Sequence, residues 1–414
     1  MLQPVRGTHD LLFDDAKKHE FVIQKARQIG ERFGFSEIHT PIFEFSNVFT
    51  KTLGDTSDIV SKEMYTFTDK GGDQLSLRPE GTAGVVRSFI SNELKRQLPL
   101  KFFYQGPMFR YERPQKGRFR QFHQIGVELL GVESSTSDLE VISCAQILLN
   151  ELEISKLTQL EINSIGDKES RLLYRQKLID YFKKFEASLS EDSQKRLQVN
   201  PLRILDSKDK NDIEICQKAP VFSDSLNEIS KKKFDEIQNG LIQMGVTYTI
   251  NTKLVRGLDY YNHLVFEFKT SALGAQDAVL SGGRYDGLVE MMGGDATPGV
   301  GWAAGLERLC LLTQLNSPAV RPVALIPIGE KAELYCNQLA HDMRSKGLVV
   351  ELAYSGNLSN RMKKATRALS RFAIIIGDQE LDSQLFGFKD LDSGEQTKLS
   401  PDQIQSRLQT MIST

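Results

Sequence analysis

Apolar residues recur at helical spacing from about Asp15 to Phe33, where Val22, Ala26, Ile29 and Phe33 share one face and Gly34 suits the end. FSEIHTPIFE then reads as a strand ending near Pro41, and QLSLRPEGTAGVVRSFI as a strand followed by a helix opening around Pro79. Residues 101–131 predict strand, loop and strand. From roughly Asp167 to Gly245 the pattern turns charged and helical, with Tyr174, Leu178, Tyr181, Phe182 and Phe185 along one face. Strand-like sequence returns in LVRGLDYYNHLVFEF (254–268) and VLSGGRYDG, and a glycine-rich segment leads into a helix at GLERLCLLTQL. LNSPAVRP (315–322) has linker composition. Beyond it, VALIPI and FAIIIG read as buried strands separated by helical sequence, the alternation of a small α/β domain.

A chain of 414 residues exceeds one compact core, so two or three domains are expected. At 40% hydrophobic and 26% charged, the composition is that of a globular protein rather than a disordered one. The net charge of −2 by itself predicts no nucleic-acid partner, which leaves that question to local patches. Cys144, Cys216, Cys310 and Cys336 are scattered, with no CxxC pair and no zinc-type spacing, so no metal site is expected. The N-terminus lacks a signal pattern and no apolar run reaches membrane-spanning length. The expectation is a reduced, soluble, cytoplasmic protein with no membrane partner.

The most informative piece is MFRYERPQKGRFRQFHQIGVELLG (108–131). Alternation puts Ile125, Val127 and Leu129 on a core face and Gln124, Gly126 and Glu128 on the other, with Arg110 and Glu112 sharing a face of the first strand. An ordinary hairpin with one solvated face is the competing reading. The composition fits a polar ligand surface better, with Gly126 as a gap where a ligand would lie against backbone. Arg308 sits in the first turns of a helix, where anions are already favoured. Together with Arg110 and Arg256, it points to a polyanionic ligand such as a nucleotide. No GxxxxGK[ST] loop and no GxGxxG after a strand is present, so a nucleotide site must be built on an antiparallel sheet with arginines.

These residues resemble the class II aminoacyl-tRNA synthetases, and within them the histidyl-tRNA synthetase family. FRYE, a basic loop and RFRQF are similar to the second signature of the class, GVGWAAGLERL to the third, and the long helix with the strand ending at Pro41 to the first, which forms the dimer interface in the class. LVRGLDYY and SGGRYDGL resemble the two histidine-specific motifs, and RGTHDLL and NPLRILDSKD also fit. The match covers essentially the whole chain. It implies an α+β catalytic domain on a mixed, mostly antiparallel sheet flanked by helices, formed by residues 1–166 and 246–316. It further implies a helical insertion at 167–245, a C-terminal α/β anticodon-binding domain at 321–414, and a homodimer.

The resemblance implies ATP-dependent ligation of L-histidine to its tRNA through histidyl-adenylate, with Mg2+ accompanying the nucleotide. Arg110 and Arg256 would grip the α-phosphate, with Arg256 standing where other class members use a metal. Arg308 would bind the γ-phosphate, and Glu112 and Arg118 would help hold ATP. Glu80, Thr82, Gln124, Glu128, Tyr260, Tyr261 and Tyr285 would form the histidine pocket, with Arg110 and Arg256 at its edge. An imidazole needs a partner for each ring nitrogen, which Glu128 and Tyr261 can supply.

For the tRNA, the resemblance points to Gln115 and Arg118 at the acceptor end. In NRMKKATRALSRF, Arg361, Lys364, Arg367 and Arg371 fall at three- and four-residue spacing, a basic stripe opposite Met362, Ala365, Leu369 and Phe372. Two other readings compete. One is a catalytically inactive, histidine-binding relative that regulates histidine biosynthesis, and the other is a tRNA-binding module without catalysis. Such inactive relatives typically lose parts of the ATP signatures, the histidine motifs or the C-terminal domain. Here Arg110, Arg256, Arg308 and the α/β tail are all present.

Overall fold

The structure, a computed structural model, describes residues 2–53, 59–114, 117–255, 258, 260–274, 278–316 and 321–409. The chain divides into two units, residues 1–317 and 318–414. Among the described residues, no helix is long and apolar enough to cross a membrane.

The strands of the first unit are β1 (Ser36–Glu37), β2 (Phe43–Phe45), β3 (Thr66–Thr68), β4 (Gln74–Leu77), β5 (Leu100–Phe109), β6 (Gln121–Leu130), β7 (Gln159–Ser164), β8 (Tyr248–Ile250), β9 (Asn262–Lys269), β10 (Ala278–Arg284) and β11 (Gly299–Gly305). Eight of them form one sheet in the order β1-β5-β6-β11-β10-β9-β7-β8. Only the outer pairs β1–β5 and β7–β8 are parallel. This is the mixed, mostly antiparallel sheet that was expected. Ile125, Val127 and Leu129 of β6 lie in the core, as their alternation predicts. They share it with Val22, Ala26 and Ile29 of the first helix (Phe13–Arg32) and with Val141, Ala145 and Leu148 of the helix Ser135–Glu151. These two helices, with Glu228–Gln243 and Leu306–Leu312, cover one face of the sheet, and the other is left for a site.

Several boundaries differ from the sequence reading. FSEIHTPIFE is not one strand: β1 joins the large sheet and β2 a separate small one. Between them Arg78 takes over the backbone, donating from Nη1 to the Thr40 carbonyl (2.9 Å), while its own N–H donates to Ile42 O. The helix expected at Pro79 begins at Thr82 instead. Glu80 explains the shift, because its carboxylate accepts the Thr82 and Ala83 N–H groups at 2.7 and 2.8 Å and so caps the first turn. The glycine-rich run before GLERL contains a full interior strand, β11, hydrogen-bonded to β6 and β10.

Between β7 and β8 lie the helices Lys168–Phe182, Glu191–Val199, Lys210–Gln217 and Glu228–Gln243. Tyr174, Leu178 and Phe182 are buried there with Leu197, Ile204, Cys216 and Phe222. Tyr181 is half-buried, and Phe185 lies beyond the helix end, 37% exposed.

SGGRYDG holds a structural anchor. Arg284 and Asp138 are 1% and 2% exposed, and Arg284 Nε and Nη2 donate to the Asp138 carboxylate at 3.0 and 2.6 Å. The same guanidinium donates to Ser137 Oγ, Val132 O and Asp286 Oδ1. Removing one partner of a buried, hydrogen-bonded ion pair strands the other charge. Arg284→Leu is therefore expected to destabilise the chain by about 3–5 kcal/mol, measured by denaturant unfolding.

The second unit holds β12 (Val323–Ile328), β13 (Val350–Leu352), β14 (Phe372–Gly377), β15 (Phe386–Asp390) and β16 (Gln396–Leu399) in the order β13-β12-β14-β15-β16. The first three are mutually parallel and the last two form an antiparallel extension. Leu325, Ile374 and Phe388 pack with Cys336 and Ala340 of the helix Glu330–Ser345.

Candidate functional site

The open face of the large sheet carries a cavity of about 590 Å3, within the size range of small-molecule sites. Sheet register makes the floor. One cross-strand row reads Gly126, Ala303, Ser281 and Glu267, and the next reads Glu128, Gly301, Gly283 and Val265. Small residues in the middle strands leave the space, and longer polar chains rise around it.

One end is a buried polar pocket. Glu128 is 1% exposed. Its Oε1 accepts Thr82 Oγ1–H at 2.6 Å, and its Oε2 accepts the Tyr285 hydroxyl. Burial raises the Glu128 carboxyl to about 8, against the lowering effect of those two hydrogen bonds. Glu80 and Thr82 line the cavity from the start of their helix, and burial also raises the Glu80 carboxyl. Tyr260 and Tyr261 line it too, with their rings 4.7 Å apart. Among the described residues Gln124 Oε1 is buried with no hydrogen-bond partner, an atom suited to receiving a ligand, and the Tyr260 hydroxyl lies beside Thr82. Neither Glu128 nor Tyr285 is on the cavity wall: the pair lies behind it, with Glu128 reaching the cavity through Thr82, which does line it.

Gly126 does not serve the purpose its sequence position suggested. A Cβ there would sit 2.4 Å from Cζ of Tyr104, its register partner on β5. The gap is filled by the Tyr104 ring, not by a ligand. Tyr104 is buried, with its hydroxyl beside Thr82. Sequence reasoning missed it because only strand register brings Tyr104 opposite Gly126. Gly301 is required for a related reason: a Cβ there would strike Glu128 Oε2 at 1.9 Å. The glycine-rich segment thus makes room for the buried carboxylate instead of cradling phosphate.

The other end is cationic. β5 stops at Phe109, so Arg110 and Glu112 stand past the strand rather than on one of its faces. Arg110 is fixed by Nε donating to Pro79 O (2.8 Å) and by its guanidinium lying 5.3 Å from the Phe122 ring centre. Glu112 pairs with Arg118 and lies 3.9 Å from Arg110 Nη1. Arg308 Nη1 donates to Ala278 O. Arg110, Glu112, Arg118 and Arg308 all line the cavity. Burial lowers the Arg118 pKa, and the neighbouring charges of Arg110 and Arg308 lower it further, against the effect of Glu63. The cavity therefore sets buried acid and phenols beside clustered guanidinium groups, with Arg110 close enough to Glu80 to favour its charged form. Arg256 and Gln115 lie outside the described residues.

In the C-terminal unit the basic stripe is shorter than its spacing predicts. The helix ends at Arg367, so Arg371 stands at the start of β14, where it pairs with Asp390. Arg361 is only 7% exposed, donating to Gly356 O, Pro327 O and Glu333. It braces the helix, and of the stripe only Lys364 and Arg367 stand on its exposed surface, with Lys363 beside them. Leu369, expected on the apolar face, is 66% exposed.

A mostly antiparallel sheet with an arginine-lined cavity on its open face fits the class II aminoacyl-tRNA synthetases. Comparison with known proteins narrows the class. A family model described as histidyl-tRNA synthetase matches residues 7–166 and 173–309, and an anticodon binding domain model matches residues 322–411. The chain belongs to the histidyl-tRNA synthetase family. It is 55% identical over 396 residues to the histidine–tRNA ligase of Rhodospirillum rubrum, covering 95% of each chain, and 54% identical over 400 residues to that of Wolbachia pipientis subsp. Culex pipiens, covering 97% of this chain and 98% of the relative. Among solved structures it matches apo S. aureus histidyl-tRNA synthetase with a TM-score of 0.83 at 32% identity over the full length of both. A Bacillus halodurans protein described as an ATP phosphoribosyltransferase regulatory subunit/histidyl-tRNA synthetase shares the fold at 22% identity and a TM-score of 0.64, covering 91% of this chain and 98% of that one.

Proposed function

We propose that this chain ligates L-histidine to its tRNA in two steps. The histidine carboxylate attacks the α-phosphorus of ATP, forming histidyl-adenylate and releasing pyrophosphate. A hydroxyl of the terminal tRNA ribose then attacks the acyl carbon, and AMP leaves. The observation that carries this reading is one cavity that brings Glu80, Thr82, Tyr260 and Tyr261, backed by the Glu128–Tyr285 pair, together with Arg110, Arg118 and Arg308.

Charge builds on the α-phosphoryl oxygens in the first step, and fixed cations stabilise it. Arg110, with Arg256, takes that role. Arg308 holds the γ-phosphate, and Arg118 with Glu112 holds the nucleotide, which enters as its magnesium complex. Glu128 and Tyr261 address the imidazole, with Tyr285 orienting Glu128 and Tyr260 closing the wall. Glu80, Thr82 and Gln124 take the α-ammonium and carboxylate end. Residues 1–166 and 246–316 form the catalytic domain, 167–245 a helical insertion, and 321–414 the anticodon-binding domain. The tRNA meets Gln115 and Arg118 at its acceptor end and Lys364 and Arg367 on the anticodon side. Arg361 is withdrawn from that surface by its burial. A reaction that serves translation belongs in the cytoplasm. Charging of the histidine tRNA with labelled histidine tests the reading; a protein that charges another tRNA, or none, contradicts it.

The working form is a homodimer. The small sheet β2-β4-β3 supports this because its polarity is reversed. Phe43, Phe45 and Phe67 are 43–55% exposed and share a face with the half-buried Leu75 and Leu77. The opposite face buries Glu44 against Arg87 and Ser76 against Ser46 and Thr66. A contiguous apolar patch of this kind marks an interaction surface. Phe43→Glu together with Phe45→Glu is expected to shift the sedimentation of the chain from dimer to monomer and to lower charging with it.

A further inference from the structure

We propose that His19, His123 and Glu307 bind one divalent ion of zinc type beside the substrate cavity. The three side chains come from three separate elements: the first helix, β6, and the helix Leu306–Leu312. Each offers one ligand atom, and these atoms lie within 4.8 Å of one another. Two imidazoles and a carboxylate are a ligand set that zinc favours in three-ligand sites.

The decisive atom is Nε2 of His19. The residue is 8% exposed, and this nitrogen is buried without a hydrogen-bond partner among the described residues. A buried polar atom left unpaired is costly and needs an explanation. A metal ion supplies the missing partner. The neighbours are already oriented for it. The rings of His19 and His123 meet edge to face with centres 4.5 Å apart, and His123 Nδ1 lies 2.9 Å from Glu307 Oε1. The His123 backbone N–H donates to both Glu307 oxygens at 2.8 and 3.1 Å, which fixes the carboxylate while leaving it lone pairs. Glu307 also borders the substrate cavity and precedes Arg308, so a bound ion would tie the arginine-bearing helix to the first helix.

The test uses the full-length protein, stripped with a chelator and dialysed against Zn2+, with bound metal measured by mass spectrometry. The expected result is one zinc per chain, with affinity reduced about 10–100-fold in His19→Phe, which keeps a buried ring but removes the ligand. Equal zinc occupancy in both proteins, or none in the wild type, would overturn the proposal. Co2+ gives a second reading on the wild type alone, which decides even if the variant does not fold. Visible d–d bands of a four-coordinate nitrogen–oxygen site support the proposal, and the pale spectrum of hydrated Co2+ rejects it.

Discussion

Arg110→Ala is expected to lower histidine-dependent ATP–pyrophosphate exchange by about 10²–10³-fold, with histidine binding nearly unchanged. The magnitude is that of losing one fixed electrostatic group aimed at developing charge. Arg110 suits the role because it is held before any ligand arrives. Its Nε is tied to Pro79 O, and its guanidinium carbon lies 5.3 Å from the Phe122 ring centre. Pre-positioning spares the reorganisation that a mobile cation would need at the moment of reaction. Arg110→Lys should recover little, because a point charge reproduces neither the fork nor the anchoring bond. The effect should fall on kcat, as expected for a contact made mainly in the transition state. Exchange within about twofold of wild type would remove Arg110 from the mechanism.

Glu128→Gln is the second large expectation. It should weaken histidine about 100-fold, read as KM in the exchange reaction, with the KM for ATP little changed. Truncating a buried, charge-capable partner costs about 2–5 kcal/mol. The substitution also has a pH signature in the ligand-free protein. The folded carboxyl titrates at about 8 against an ordinary value of 4.5, so the folded chain keeps a proton that the unfolded chain has released. The stability tied to that proton is fully present below about pH 4.5 and is lost as pH rises towards 8. Glutamine does not titrate. The melting temperature of wild type should therefore fall relative to Glu128→Gln between pH 5 and 8, while the variant still binds histidine poorly. Parallel melting curves across that range would remove the strained, protonated carboxyl from the account.

The hydrophobic alternation of the 108–131 hairpin was enough to separate core from site on β6, because period-two patterning is local. Residue type and position suggested that Arg110 and Arg308 belong together, and both line one cavity. What could not be read were contacts fixed by register and by distant sequence. Tyr104 plugs the space over Gly126 only because β5 and β6 pair in one register. Arg284 is tied to Asp138, 146 residues away. Glycines 299 and 301 look like a loop until the neighbours they make room for, Tyr285 and Glu128, are in place. The basic stripe shows the opposite failure. Its spacing is helical, yet Arg361 is drawn inward by three acceptors that no periodicity reveals.

The central claim is that one cavity activates histidine with ATP. Its most direct test is pyrophosphate exchange by the purified protein across the twenty amino acids, with Mg2+ and ATP and without tRNA. The account predicts exchange with histidine and background rates with the others. Histidine binding without exchange would contradict it and favour a regulatory, catalytically inactive relative.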